Sequence, residues 1–396
     1  MLVACASAVA QLALVDVYEE ACAIVAREFV DPDLNGLDWE AECAARRGRA
    51  AEAESAAELA PVLNELLGLL ETSHTAFYPR GSRAWGELLD IFHSDGVPAD
   101  FSAAIEPGIV ESVSIGVVTC VIDGRVFAAD VYDGSPAAEA GLLVGDEIVS
   151  AGGARWTDDL PLPGAPGEAL EILIRRERAG DPTAITVTPE LIRPKRAFMR
   201  AQEASTRVIE RNGAQVGYIR LRSYAHPDFH DQVKGQVRFG ALKDADALVL
   251  DLRGGWGGAN VDYLDFLFPV LPAWEMRRRD GDWVRAEMAW RKPLVVLIDE
   301  GSRSGKEVVA HTLKKHGLAT LVGARTGGMV VGGRPFPLAD GSLLYVAVMD
   351  VRIDGDRLEG VGVAPDVEVR FELPYAAGTD PQLEVAVEEA ARQASR

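Results

Sequence analysis

Along the first hundred residues apolar side chains return every three or four positions, at Val15, Tyr18, Ala21, Cys22, Val25 and Phe29. This spacing predicts a helix with one buried stripe, broken at Asp31-Pro32. A second helical period runs from Ala56 to Leu70 and stops at the polar string "ETSHTAFYPR". From about residue 105 the texture changes to short alternating runs separated by turn residues. Within 114 to 153 these predict strand, turn and strand, a short helix at Pro136 to Ala140 with its stop at Gly141, and a strand from Glu147 to Ser150. Between 200 and 375, apolar runs of buried-strand length ("VGYIRL", "ALVLDLRG", "PLVVLIDE", "ATLVGAR") alternate with helical periods, notably Glu307 to Lys315. That alternation predicts a mixed α/β core. Gln382 to Arg392 predicts a terminal helix.

A chain of 396 residues is too long for one ordinary core. The excess of 61 acidic over 40 basic residues leaves a net charge of -21, which repels phosphate backbones and anionic membrane surfaces and argues against a nucleic-acid partner. Cys5, Cys22, Cys43 and Cys120 show no C-x-x-C pair, so the spacing indicates neither a zinc knuckle nor a disulfide framework. No apolar stretch approaches the roughly 20 residues that a membrane-spanning helix needs. Leu2-Val-Ala-Cys5 resembles a lipoprotein processing box, but only Met1 precedes it. The expectation is a chain trimmed or misstarted upstream, or simply the first turn of a helix.

The stretch "DEGSRSGKEVVAHTL" (299 to 313) poses the chemical question. A Walker A loop needs G-x-x-x-x-G-K-[ST]. Counting back five from Gly305 lands on Glu300, and Glu307 follows Lys306, so a carboxylate would oppose a phosphate at that helix start. Read instead as a nucleophile turn, Ser304 presents its hydroxyl where strand passes into helix, and Gly305 N–H is free to face a developing oxyanion. A second donor would come from Gly257 or Gly258 in "DLRGGWGG", where glycines let the backbone approach a substrate. On local grounds an ordinary N-cap for Ser304 and a tight turn for the glycines are the stronger reading.

The string "DGSPAAEAGLLVGDEIVSAGG" resembles a PDZ domain of the bacterial protease type. The resemblance implies that a peptide adds beside an edge strand and that its C-terminal carboxylate sits on backbone N–H groups of Ser114, Ile115, Gly116 and Val117. An N-terminal helical segment ending in His-Thr, then the PDZ stretch, "DLRGGWGG", a Ser-x-x-Glu turn, "VGARTGG" and "GVGVAPDVEV" resemble, in that order, the C-terminal processing (tail-specific) proteases and their tricorn-core relatives. The resemblance spans about residue 60 to the end. It selects Ser304, three residues before the glutamate, over Ser302.

One position departs from the serine/lysine type, whose lysine follows a Thr-x-Gly; this chain has Thr326-Gly327-Gly328-Met329. A methionine cannot take a proton. Lys306, two residues along the helix from Ser304, points away from it. The tricorn-like branch implies a serine–histidine–serine–glutamate tetrad instead, and Ser73, His74 and Glu359 stand at the matching positions. Histidine suits the work of a base near neutrality. Two further histidines, His226 and His230, have i, i+4 spacing but no third ligand, and Pro227 reads as a helix start. The basic string 276 to 285 reads as a solvated hairpin.

The expected fold class is therefore a multi-domain α/β protein: an N-terminal helical segment (1–100) carrying Ser73 and His74, an inserted β-rich PDZ domain with short helices (105–195), a mixed α/β core of ClpP/crotonase-like type (200–375) and a C-terminal helix (376–396). The expected function is serine endopeptidase action on peptides or unfolded C-terminal tails, with no metal and no cofactor. A homo-oligomer stays open. The family and Leu2-Val-Ala-Cys5 lean toward the periplasm or cell envelope, with the cytoplasm left open. The rival is a non-catalytic binding relative of the same fold, supported by Met329 and by the charged Arg303 and Lys306 where the family usually has small residues.

Overall fold

The computed structural model describes residues 2–92, 111–156, 165–258, 261–268, 272–277, 279 and 282–396. They divide into two compact units, one of residues 2–92, 111–112 and 329–361 and the other of the remaining described residues. Among the described residues no helix is long and apolar enough to cross a membrane.

In the first unit the helices Leu2–Glu28, Trp39–Glu52 and Ala56–Gly68 share one core. Tyr18, Val25, Leu59, Leu63 and Leu66 are buried there, as the three- and four-residue spacing requires. Asp38 and Ser55 cap the second and third helices by accepting N–H bonds from Ala41 and Glu58. Cys22 and Cys43, on facing helices, form a disulfide with Cα atoms 6.5 Å apart. The absence of a disulfide signal in the spacing is corrected here, because helix packing rather than sequence proximity pairs them. The strand Ala76–Tyr78 runs antiparallel to Leu343–Asp350, which pairs with Val331–Pro337. Asn64 holds Phe77 at both ends of its peptide, donating to the carbonyl at 3.0 Å and accepting from the N–H at 2.7 Å. That strand carries the Ser73-His74 pair into the unit.

Among the described residues the second unit holds two six-stranded sheets and smaller pairings. In the first, the strands Val117–Ile122, Arg125–Val131, Glu147–Ala151, Leu170–Arg175 and Thr183–Val187 follow one another in space, with Val117–Ile122 at the edge. The short helix Pro136–Glu139 is capped by Ser135. In the second, Arg207–Arg211 pairs antiparallel with Ala214–Arg220 across an Asn212-Gly213 turn whose two φ angles, 53° and 81°, suit a tight hairpin. From there the pairing is parallel: Ala214–Arg220, Ala247–Asp251, Leu294–Ile298, Thr320–Gly323 and Val367–Glu368. Ala247–Asp251 and Leu294–Ile298 are buried at every position, which explains their unbroken apolar runs. The helix Pro381–Ala394 packs Ala386, Val387, Ala390 and Ala391 into the same core. The strands Ala273–Arg277 and Trp283–Glu287 form the hairpin expected from the basic string.

A buried charge cluster ties these two sheets together. Asp130 accepts from Arg220 at 2.8 Å and from Arg222, whose guanidinium lies 4.8 Å from the centre of the Tyr132 ring. Burial alone would raise the Asp130 carboxyl, but the two guanidiniums outweigh it and hold the group below its ordinary range. Removing one partner of such a group strands the others in a poor solvent. Asp130→Ala is expected to destabilise the protein by about 3–5 kcal/mol, read from chemical denaturation followed by tryptophan fluorescence.

Candidate active site

Ser304 stands at the start of the helix Gly305–Lys315 with φ 55° and ψ -124°. A non-glycine residue pays on the order of 1–3 kcal/mol for such a backbone, so its surroundings must hold it there. Glu307, wholly buried, does so. Its Oε2 accepts the Ser304 N–H at 3.0 Å, and its Oε1 accepts the Thr326 hydroxyl and, at 2.8 Å, the Gly328 N–H. The Ser-x-x-Glu spacing was visible as a capping pattern; the grip on residues 326–328 was not. Ser302 is buried, with its hydroxyl donating to Leu252 O at 3.0 Å, which leaves Ser304 as the half-buried serine of the turn.

The glycine loop lies flush against this turn. A Cβ on Gly305 would fall 2.1 Å from Gly258 O, and one on Gly257 would fall 2.5 Å from Ser304 Cβ and 2.9 Å from Gly305 N. Only glycines permit this approach. Gly257 O in turn accepts Tyr224 N–H at 2.9 Å and the Ser223 hydroxyl at 3.1 Å. Gly257, Gly258, Ser304 and Gly305 are thus brought together within the second unit.

Lys306 bonds to backbone carbonyls rather than to Ser304. Its wholly buried amine donates to Leu221 O at 2.8 Å and Gly254 O at 2.7 Å. Burial, with Arg220 and Arg222 adding to it and Asp251 and Asp299 opposing, pushes this amine down to about 7. Arg303 donates from Nε to Gly255 O at 3.0 Å and stacks its guanidinium 4.0 Å from the Trp256 ring centre.

Within the first unit, Ser73, His74 and Glu359 form one chain. Glu359 Oε1 accepts the Ser73 N–H at 2.8 Å, and Oε2 accepts the Ser73 hydroxyl at 2.9 Å and Val330 N–H at 2.7 Å. Ser73 Oγ lies 2.9 Å from His74 Nδ1. A serine has one proton, and here it goes to the carboxylate. Ser73 Oγ must then accept from His74 Nδ1–H, which leaves the lone pair of a neutral ring on Nε2. His74 has φ 56°, its ring centre lies 5.8 Å from that of Tyr345, and a Cβ on Gly333 would meet its Cβ at 2.9 Å.

In the PDZ-like loop, Gly116 has φ 77°, its N–H donates to Ser114 Oγ at 3.0 Å, and its carbonyl accepts Tyr132 N–H at 2.8 Å. Ile115 O accepts Ala137 N–H, and Val117 opens the edge strand. The i, i+4 histidines go separate ways: His230 Nε2 lies 2.8 Å from Asp265 Oδ1, whereas His226 caps the helix Pro227–Arg238 and meets Lys195 Nζ at 2.8 Å. Among the described residues no group of three or more His, Cys, Asp or Glu side chains could hold a metal ion.

Residues 215–369 match peptidase family S41, residues 127–161 a PDZ domain and residues 16–68 the tricorn protease C1 domain. Tricorn protease homolog 1 of Streptomyces coelicolor is 27% identical over 383 residues, covering 93% of this chain and 34% of that protein. A carboxy-terminal-processing protease of Bartonella bacilliformis is 25% identical over 286 residues, covering 66% of this chain and 62% of the relative. The crystal structure of the tricorn protease superposes with a TM-score of 0.57 at 20% identity, covering 98% of this chain and 37% of that one, a likeness of fold. The chain spans about a third of the length of the first curated relatives it matches.

Two outcomes follow from the buried groups. Glu307→Ala leaves three N–H or O–H donors without their acceptor, and a loss of about 3 kcal/mol or more is expected in urea denaturation. For Lys306, the folded value of about 7 lies below the ordinary 10.5, so between these pH values the unfolded chain holds a proton that the folded one lacks. This group therefore makes stability rise with pH across that window. Lys306→Met should flatten the rise, seen by comparing denaturation midpoints of variant and wild type at pH 7 and near pH 10.

Proposed function

We propose that this chain, whose residues 215–369 belong to peptidase family S41, is a serine endopeptidase acting on peptides or unfolded C-terminal tails through an acyl-enzyme. Ser304 Oγ attacks the scissile carbonyl while His74 Nε2 takes its proton. The oxyanion is held by Gly305 N–H and by an N–H of Gly257 or Gly258. Collapse breaks the C–N bond, and the imidazolium returns the proton to the departing amine. Water, deprotonated by the same imidazole, then releases the acyl group. Ser73 and Glu359 orient the ring, the PDZ domain gathers the substrate chain, and no cofactor takes part.

The observation that carries this reading is the Glu359–Ser73–His74 chain of hydrogen bonds, because it leaves the ring's basic lone pair on Nε2. A serine between carboxylate and imidazole is the arrangement implied by the tricorn-like branch, and with Met329 in place of a lysine that branch is the one proposed here. The charged Arg303 and Lys306, which favoured a non-catalytic relative, have structural partners in the glycine loop. They therefore lend that alternative no support.

A fluorophosphonate probe should label the wild type and leave Ser304→Ala unlabelled; equal labelling of both would sink the reading. With a fluorogenic peptide, His74→Ala should lower kcat by about 10³-fold or more, and Glu359→Gln by about 10²- to 10⁴-fold. Turnover of His74→Ala near the wild-type rate would assign the proton transfer to another group.

A further inference from the structure

The loop from Leu252 to Gly258 has little regular pairing of its own. It meets the segment 222–224 at a bridge between Ser223 and Trp256, with Trp256 N–H donating to Arg222 O at 3.2 Å, and through Gly257 O, which accepts Tyr224 N–H and the Ser223 hydroxyl. Gly254 and Gly255 take φ angles of 56° and 68°. Carbonyls in such a loop depend on donors from elsewhere. Two successive ones receive them from cations of the nucleophile turn: Gly254 O from Lys306 and Gly255 O from Arg303. From the other side Asp299 Oδ1 accepts Gly254 N–H at 3.0 Å. Because a peptide unit is planar, a held carbonyl also sets the direction of the N–H that follows it. The peptide planes joining Gly254 to Gly255 and Gly255 to Trp256 are thereby fixed, immediately upstream of Gly257.

Lys306 is a costly way to achieve this. Its amine is wholly buried and its hydrogen bonds go to carbonyls rather than to a carboxylate. An ammonium in that setting loses its hydration without an ion partner in contact. An apolar side chain of similar length would fill the space without that penalty, so filling the core does not account for a lysine here. What an apolar side chain could not supply is a pair of donors joining Leu221 O, at the end of one strand, to Gly254 O in the loop.

We propose that Lys306 is a positioning residue which, together with Arg303, clamps the glycine loop so that its oxyanion donors are set before substrate arrives. The proposal rests on the peptidase reading above and adds to it a residue that takes no proton from Ser304. Preorganised donors of this kind account for much of the rate in acyl transfer, and losing one costs about 10²- to 10³-fold.

The test compares Lys306→Met with Lys306→Gln, which keeps an N–H donor at reduced reach. For a fluorogenic peptide, kcat should fall about 10- to 100-fold in Lys306→Met and less in Lys306→Gln, with KM within about twofold of wild type. Amide exchange across 253–258 should rise in the same order relative to the helix Gly305–Lys315. Wild-type kcat and unchanged loop exchange in both variants would overturn the proposal, as would a loss carried by KM alone. If neither variant folds, the wild type decides it. The charged groups acting on the amine are Arg220, Arg222, Asp251 and Asp299. The amine itself is held near 7 and loses its proton across pH 6 to 9. Loop exchange, corrected for intrinsic rate and divided by that of the helix, should fall about threefold or more over this range, because an opening that hydrates the amine takes up a proton that the closed loop lacks; a flat ratio would count against the clamp. A wild type that neither hydrolyses peptide nor takes the probe would defeat the peptidase reading, while exchange would still decide the clamp.

Discussion

The buried carboxylate of Glu307 is the constraint on which the turn at Ser304 depends. One oxygen holds the Ser304 N–H, and the other holds the Thr326 hydroxyl and the Gly328 N–H. A serine in a positive-φ conformation relaxes unless its neighbours determine it. Glu307 supplies that restraint from three residues along the same helix, so the strain is met where it arises. It also ties the start of this helix to a segment some twenty residues further along, and Thr326 passes the connection on by accepting Val363 N–H at 2.7 Å.

The imidazole is governed by a different economy of protons. Glu359 can only accept, Ser73 has a single hydrogen to donate, and the ring nitrogen nearest the serine is left to donate in turn. The tautomer follows from counting hydrogens, without appeal to any shift in acidity. Val330 N–H on the same carboxylate oxygen adds a backbone anchor, so the orientation of His74 depends on a strand entrance as well as on side chains.

Around the glycine loop, buried charges hold the backbone in place. Asp130 binds Arg220 and Arg222; Arg222 O accepts Trp256 N–H; Arg303 and Lys306 take the carbonyls between. This sequence of contacts runs from the sheet containing the PDZ-like stretch to the residues beside Ser304, all within one compact unit. Arg253 adds a second anchor, with Nη2 at 2.7 Å from both Asp251 and Asp380. Asp130, Arg222, Asp251 and Lys306 are buried, and each is balanced by an opposite charge or by carbonyl dipoles.

Periodicity alone determined the helices beneath Tyr18 and Leu63, the fully buried strands at Ala247–Asp251 and Leu294–Ile298, and the terminal helix, because burial on one face or on both leaves a direct mark on residue choice. Motif order picked out Ser304, Ser73, His74 and Glu359. What composition and spacing did not carry were contacts between residues far apart in the chain. Glu359 meets Ser73 across an interval of 286 residues, Lys306 reaches Leu221 across 85, and Cys22 pairs with Cys43 only because their helices face each other. In the sequence Lys306 and Arg303 looked like misplaced surface charges, since a buried cation and an exposed one are written with the same letters. Only the tertiary structure decided that they donate to backbone carbonyls, because the acceptors belong to a loop brought alongside by parallel strands that no local pattern encodes.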